Sequence, residues 1–329
     1  MQVLYIGGTG EISYSCLHAS AALGHRLSVF NRGLCPEPLP AGVTQIHGEL
    51  ADDAAYARLG DRTWDVVCQF NAYQRAEIAR DLRVFAGKVG QYLFISSASV
   101  YQKPTLSYVL TEAHPIGNRY WDYSQEKADM ERALMAAHAA GRMPVTIVRP
   151  SHTYRRRFPG IAQSGDDNAW RLLHGKPIVI HGDGTSLWTY THAADFAVPF
   201  ARLLGNAQAI GEAFHLTAHL KGYTWNQIYT ACAVALGVEP DLVHIPTDTL
   251  VRVCPEVRGN LLGDKAWPSL FDNSKVRAVV GDFAERVSLE EGLRGAAEHV
   301  RARLQDFHPD IAAHDFWDRV IAAQGHITG

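Results

Sequence analysis

Val3-Leu-Tyr-Ile6 is a short apolar run that meets Gly7-Gly8-Thr9-Gly10-Glu11-Ile12-Ser13 at once, and apolar and small residues follow through Leu23 at helical spacing. Strand, glycine turn and helix in that order constrain the chain more than any other stretch, because they are the opening of a dinucleotide-binding βαβ unit. Glycines let the backbone approach a pyrophosphate, and the N-terminus of the helix offers free N–H groups and a favourable dipole. The spacing is Gly-x-x-Gly-x-x-Ser. Ser13 replaces the last glycine of the fingerprint, a small change that a helix–strand contact tolerates.

Further strands follow at Leu27 to Phe30, Val43 to His47, Trp64 to Cys68, Gln91 to Ile95 and Val145 to Val148, separated by helices at 53–59, 74–86 and 122–139. Strands and helices alternating at this cadence predict an α/β fold, a Rossmann-type doubly wound parallel sheet with right-handed crossovers and a smaller C-terminal substrate domain. Residues 1–155 are assigned to the nucleotide-binding domain, joined by about 186–220, and 156–329 mainly to the substrate domain, interleaved with the sheet. A strand is expected at Ala213 to Thr217, a helix at Thr224 to Leu236 and a strand at Leu242 to Ile245. Ser288-x-x-Glu291 reads as a capping box opening a helix to about Leu304, whose aliphatic spacing suits domain packing or a dimer face.

With 329 residues, 47% hydrophobic and 20% charged, the composition is that of a soluble globular chain, which excludes disordered and fibrous classes. The formal net charge of -3 supplies no basic field for nucleic acid or an anionic membrane. No apolar run approaches the roughly 18 residues that span a bilayer. The first strand begins too early for a leader peptide, so the chain reads as cytoplasmic. The five cysteines are scattered, and His215 and His219 fall at a strand end where residues four apart do not converge, so no metal is expected.

The candidate site residues gather at the ends of strands. Gly7, Thr9, Gly10, Glu11 and Ile12 form the first turn, and Asn31-Arg32 ends the second strand. An acidic residue there would bond the adenosine ribose, whereas an arginine accommodates a 2'-phosphate, so NADP(H) is favoured with NAD(H) the alternative. Glu49 and Leu50 beyond the third strand and Phe70-Asn71-Ala72 beyond the fourth join the cofactor side. The fifth strand runs into Ser96-Ser97-Ala98-Ser99-Val100-Tyr101. Tyr123 and Lys127 stand four apart on one helix face, where an ammonium held near a phenol lowers its pKa from about 10 and fits it to exchange the proton of an alcohol. The sixth strand ends in Arg149-Pro150-Ser151-His152, followed by Arg155-Arg156-Arg157, read either as a solvated loop or as ligands of a substrate phosphate or carboxylate.

These stretches resemble the extended or atypical short-chain dehydrogenase/reductases, in the NAD(P)-dependent epimerase/dehydratase branch. The likeness rests on Gly7-Gly-Thr-Gly10, Phe94-Ile-Ser-Ser-Ala-Ser-Val-Tyr101, Tyr123-x-x-x-Lys127, Val148-Arg-Pro150 with Tyr154, and Gly182-Asp-Gly-Thr185 with His192 and Asp195. They occur in family order to about residue 220, with a weaker match near Phe271-Asp-Asn-Ser-Lys275. The resemblance implies a catalytic set of Ser97, Tyr123 and Lys127, with Pro150 beside the nicotinamide and Ser99, His152, Arg155 and Trp188 towards the substrate. Trp188 and the segment 260–264 depart from the family, which typically carries a diphosphate-clamping arginine at each. The substrate either lacks a diphosphate or meets Arg155 to Arg157, Arg258 or Lys265 instead.

The implied activity is oxidoreduction or epimerisation at a secondary alcohol or ketone of a sugar-like or nucleoside-like small molecule. A dehydratase would want an additional carboxylate that the serines do not supply. A non-catalytic cofactor sensor, or a relative of the chloroplast stem-loop RNA-binding proteins, is the rival on the same fold. The mild acidity disfavours RNA, and a homodimer through two long helices of the sheet layer suits the fold.

Overall fold

The computed structural model describes residues 1–325. Seven parallel strands form the central sheet: β1 (Gln2–Ile6), β2 (Arg26–Asn31), β3 (Thr44–His47), β4 (Trp64–Gln69), β5 (Val89–Ile95), β6 (Val145–Arg149) and β7 (Ala213–His215). Their order is β7-β6-β5-β4-β1-β2-β3. β1 is buried on every residue past the first and β4 on every residue but Asp65, as a sheet covered by helices on both faces requires. One core under the sheet gathers Val3, Tyr5, Cys68 and Phe200, and the opposite face gathers Leu4, Ile6, Tyr92 and Met130.

The chain reverses direction of build at β1, which pairs with β2 on one side and β4 on the other. That switch point opens a crevice beyond the carboxyl ends of the strands, the usual ligand position in open α/β sheets. Helix α1 (Ser13–Ala22) packs against α2 (Ala193–Leu203), while α3 (Asp122–Ala139) covers the other face. Arg149 at the end of β6 forms a buried bidentate pair with Glu131 of α3, at 2.6 and 3.0 Å, fixing that helix against the sheet.

A second core, built around Tyr190, Trp225, Ile228, Leu261 and Leu293, belongs to the segments after residue 150. Short strand pairs stitch it together: 152–154 with 190–192, 178–181 with 242–245, and 187–188 with 223–224, while 109–110 pairs with 270–271 in a small separate cluster with Ala98 and Tyr101.

Local departures from the sequence reading have simple causes. The helix expected at 53–59 is α-helical only over Asp53–Ala57 and tightens to a 3₁₀ turn at Arg58–Gly60. Ser288 caps its helix by accepting from Glu291 N at 3.1 Å, while a reciprocal capping box forms at Thr224 and Gln227. The helix Ile311–Gly325 was not read from the sequence. Its residue Asp318 pairs with Arg171 and Lys176, each at 2.5 Å.

Candidate active site

The first glycine turn is shaped by close approach. Gly7 and Gly8 hold φ of +108° and +91°, and a Cβ on Gly8 would lie 2.9 Å from Val29 Cγ1. Ser13 does more than fill the place of a glycine, since its hydroxyl accepts from Gly10 N at 2.9 Å and closes the turn. The sequence reading gave it only a packing role.

Beyond this turn lies a cavity of about 810 Å³ bordered by Thr9, Gly10, Asn31, Arg32, Glu49 and Leu50. Asn31 Oδ1 accepts from Gly33 N at 2.9 Å and Gln45 Nε2 at 2.7 Å, while its Nδ2 is buried without a partner. A glycine cradle that side chains could not enter, a helix N-terminus and an unused buried donor fit the adenosine and pyrophosphate of a dinucleotide. Arg32 and Arg157 are exposed at this cavity's rim.

The crevice continues into a cavity of about 420 Å³ bordered by Glu11, Ile12, Phe70, Asn71, Lys127 and Pro150. Beside it is a third of about 300 Å³, reached by Ser99, Trp188, Lys103, Asp264 and Lys265. Ser97, Tyr123, Pro150 and His152 border both.

A sequence model of the NAD dependent epimerase/dehydratase family matches residues 3–216. The chain belongs to that family. It is 28% identical over 292 residues to the 2'-dehydrokanamycin reductase of Streptomyces kanamyceticus, covering 87% of this chain and 81% of the relative. It is 27% identical over 262 residues to chloroplast stem-loop binding protein of 41 kDa b from Arabidopsis thaliana, covering 74% of this chain and 65% of that protein. Among solved structures, an epimerase from Methanothermobacter thermautotrophicus superposes with a TM-score of 0.74 at 17% identity, covering 92% of this chain and 93% of that one. UDP-glucose 4-epimerase from Bifidobacterium longum, in complex with NAD+ and UDP, superposes with a TM-score of 0.73 at 18% identity, covering 93% and 100%.

In this member of the epimerase/dehydratase family, α3 presents both Tyr123 and Lys127 towards the crevice. Lys127 is buried, its Nζ donating to Ala72 O at 2.7 Å and Ile95 O at 2.9 Å. Burial lowers its pKa to about 7. Burial raises that of Tyr123 to about 12, against a lowering by the hydrogen bond from Ser97. The ammonium lies 5.8 Å from the Tyr123 ring centre and is committed to two carbonyls. The pKa-lowering contact read from the Tyr-x-x-x-Lys spacing is therefore not the dominant influence on the phenol, which stays protonated at neutral pH.

Ser97 belongs to a hydroxyl chain: its Oγ lies 2.9 Å from Ser99 Oγ, which accepts from Ser124 at 2.8 Å. The His152 ring lies tilted against Tyr190 at 5.0 Å between centres, and burial lowers its pKa to about 3, leaving a neutral imidazole.

Two sequence assignments are corrected. Arg155 does not reach the substrate side: it makes a bidentate pair with Glu37 at 2.7 and 2.8 Å and borders none of these cavities. Arg156 is likewise bound to Glu11 and Glu37, so neither is the solvated arginine of the alternative reading. Ala72 does not face the crevice either; it is buried and contributes through its carbonyl to Lys127. Lys103, Trp121 and Ser269 border the 300 Å³ cavity and carry no motif in the sequence. Only the disrupted family segment at 260–264, and Lys265 beside it, hinted at that wall.

Proposed function

We propose that the chain is a nicotinamide-dependent oxidoreductase that reduces a ketone, or oxidises the corresponding secondary alcohol, on a small polar substrate. One observation carries the reading: Tyr123 and Ser97 stand on the partition between the cofactor crevice and the 300 Å³ cavity. A bound nicotinamide dinucleotide would supply or accept the hydride. Gly7, Gly10, Asn31 and Asn71 would hold it on the adenosine side, with Lys127 and Pro150 at the other end.

In reduction, the Tyr123 hydroxyl gives its proton to the ketone oxygen. Ser97 donates a hydrogen bond to the same oxygen as negative charge builds there, and the hydroxyls of Ser99 and Ser124 orient Ser97. The high pKa of Tyr123 keeps it in the acid form this direction needs. Arg32 and Arg157 favour NADPH over NADH through a 2'-phosphate. Likeness to a reductase supports the dissociable-cofactor reading over epimerisation. Likeness to a stem-loop binding protein supports the rival, non-catalytic reading.

The test is titration of the purified chain with NADPH and NADH, followed by NADPH oxidation against a panel of ketones and keto sugars. Reversible binding with NADPH preferred by about tenfold, roughly 1.4 kcal/mol, and turnover of at least one ketone are expected. Binding of neither cofactor would overturn the proposal.

A further inference from the structure

The buried lysines of the site differ in their partners. Lys127 is satisfied by two carbonyl oxygens. Lys265, whose side chain is 7% exposed, has Asp264 Oδ2 at 3.7 Å and donates to Asn260 Oδ1. Lys103, 3% exposed on the wall of the 300 Å³ cavity, has one side-chain partner, the neutral hydroxyl of Ser269 at the outer limit of 3.5 Å.

An ammonium has three donors, and burying it with one long bond to a neutral group is costly unless something else meets the charge. The charged groups bordering the cavity are two lysines and one aspartate. His152 is neutral, and Trp121, Trp188 and Phe271 add aromatic surface. One positive charge is left in excess. Burial pulls Lys103 below the ordinary lysine range, and the neighbouring Asp264 only opposes this. An anion against Lys103 would favour its charged form.

The volume, about 300 Å³, lies at the bottom of the roughly 300–1,000 Å³ range of ligand pockets. We infer that this cavity takes a monosaccharide-sized substrate carrying one anionic group, a carboxylate or monophosphate, which Lys103 binds while the reacting carbonyl meets Tyr123 and Ser97. The inference rests on the reading of this cavity as the substrate site.

The full chain, loaded with NADP+, is titrated with D-glucuronate, D-glucose 6-phosphate, D-glucose and D-glucosamine, read by the fluorescence of Trp121 and Trp188. At least one anionic sugar should bind about tenfold or more tightly than glucose and glucosamine, and which one distinguishes carboxylate from phosphate. Lys103→Met should abolish that preference while leaving NADP+ affinity unchanged, and Lys103→Arg should retain it.

Tightest binding of glucosamine, equal affinity for all four, no binding of any, or an anion preference that survives Lys103→Met would overturn the inference. If the Met variant does not fold, the order among the four sugars on the unsubstituted chain decides. Failure to load NADP+ or to turn over any ketone counts against the oxidoreductase reading alone, because the sugar titration runs equally on the unloaded chain.

Discussion

The crevice at the carboxyl edge of the sheet takes its walls from the ends of successive strands, each within a few residues of an apolar run. The smaller cavity beside it is assembled from 97–103, 121–123, 150–152, 188 and 264–271, segments far apart in sequence. In the crevice the buried lysine is satisfied by backbone carbonyls, while the cavity carries a lysine with a single long bond to a hydroxyl. The crevice thus satisfies its lysine from its own backbone, while the cavity leaves its lysine short of partners. Tyr123 and Ser97 are the seam between them.

Cutting that seam gives the largest expected effect. Tyr123→Phe removes the proton donor and should lower kcat by about 10²- to 10⁴-fold, while NADPH affinity measured by titration stays within about twofold. Unchanged turnover would remove Tyr123 from the proton transfer.

Next comes the crevice alone. Gly8→Ala forces a Cβ towards Val29 at 2.9 Å at a φ of +91°. Such strain is worth about 1–3 kcal/mol, so calorimetric titration should show NADPH binding weakened by about tenfold or more. Unaltered affinity would remove the glycine turn from the binding surface.

The same lysine that anchors the crevice sets a pH dependence. Lys127 is an ammonium below about 7 and a neutral amine above it. If its charge assists the reaction, kcat/KM for the ketone falls as pH rises through about 7, tending to about tenfold per unit. Lys127→Met should be slower and lose this limb. A profile flat through neutrality in the unsubstituted chain would show that the charge on this lysine is not needed before cofactor binds.

How much of each region can be read in a sequence follows from the same contrast. Gly7 to Gly10, Asn31 and Asn71 are legible because a parallel sheet places every strand end on one edge, so local order already implies spatial grouping. Tyr123 and Lys127 are legible because helical spacing puts them on one face. The protonation of that pair is not, since burial and the carbonyls of Ala72 and Ile95 outweigh the mutual charge effect. Lys103 and Ser269 leave no local trace, because their grouping depends on how the second core docks.

Arg155 is the instructive miss, and it supplies the smallest predicted effect. Three consecutive arginines beside a strand end look available to a substrate anion, but Glu37 lies in the turn between β2 and β3, 118 positions away in sequence. The pair instead ties that turn to the segment following β6, at the side chains' 12% and 20% exposure. Arg155→Ala leaves Glu37 still paired with Arg156, so the carboxylate is not stranded. The loss should be about 1 kcal/mol, between that of an exposed pair and a broken buried one. Denaturant unfolding should register that loss. KM for the ketone should be unaltered, because the smaller cavity does not include this arginine. A rise in that KM of about tenfold at unchanged NADPH affinity would return Arg155 to the substrate side, and would mean that its pairing with Glu37 opens when substrate binds.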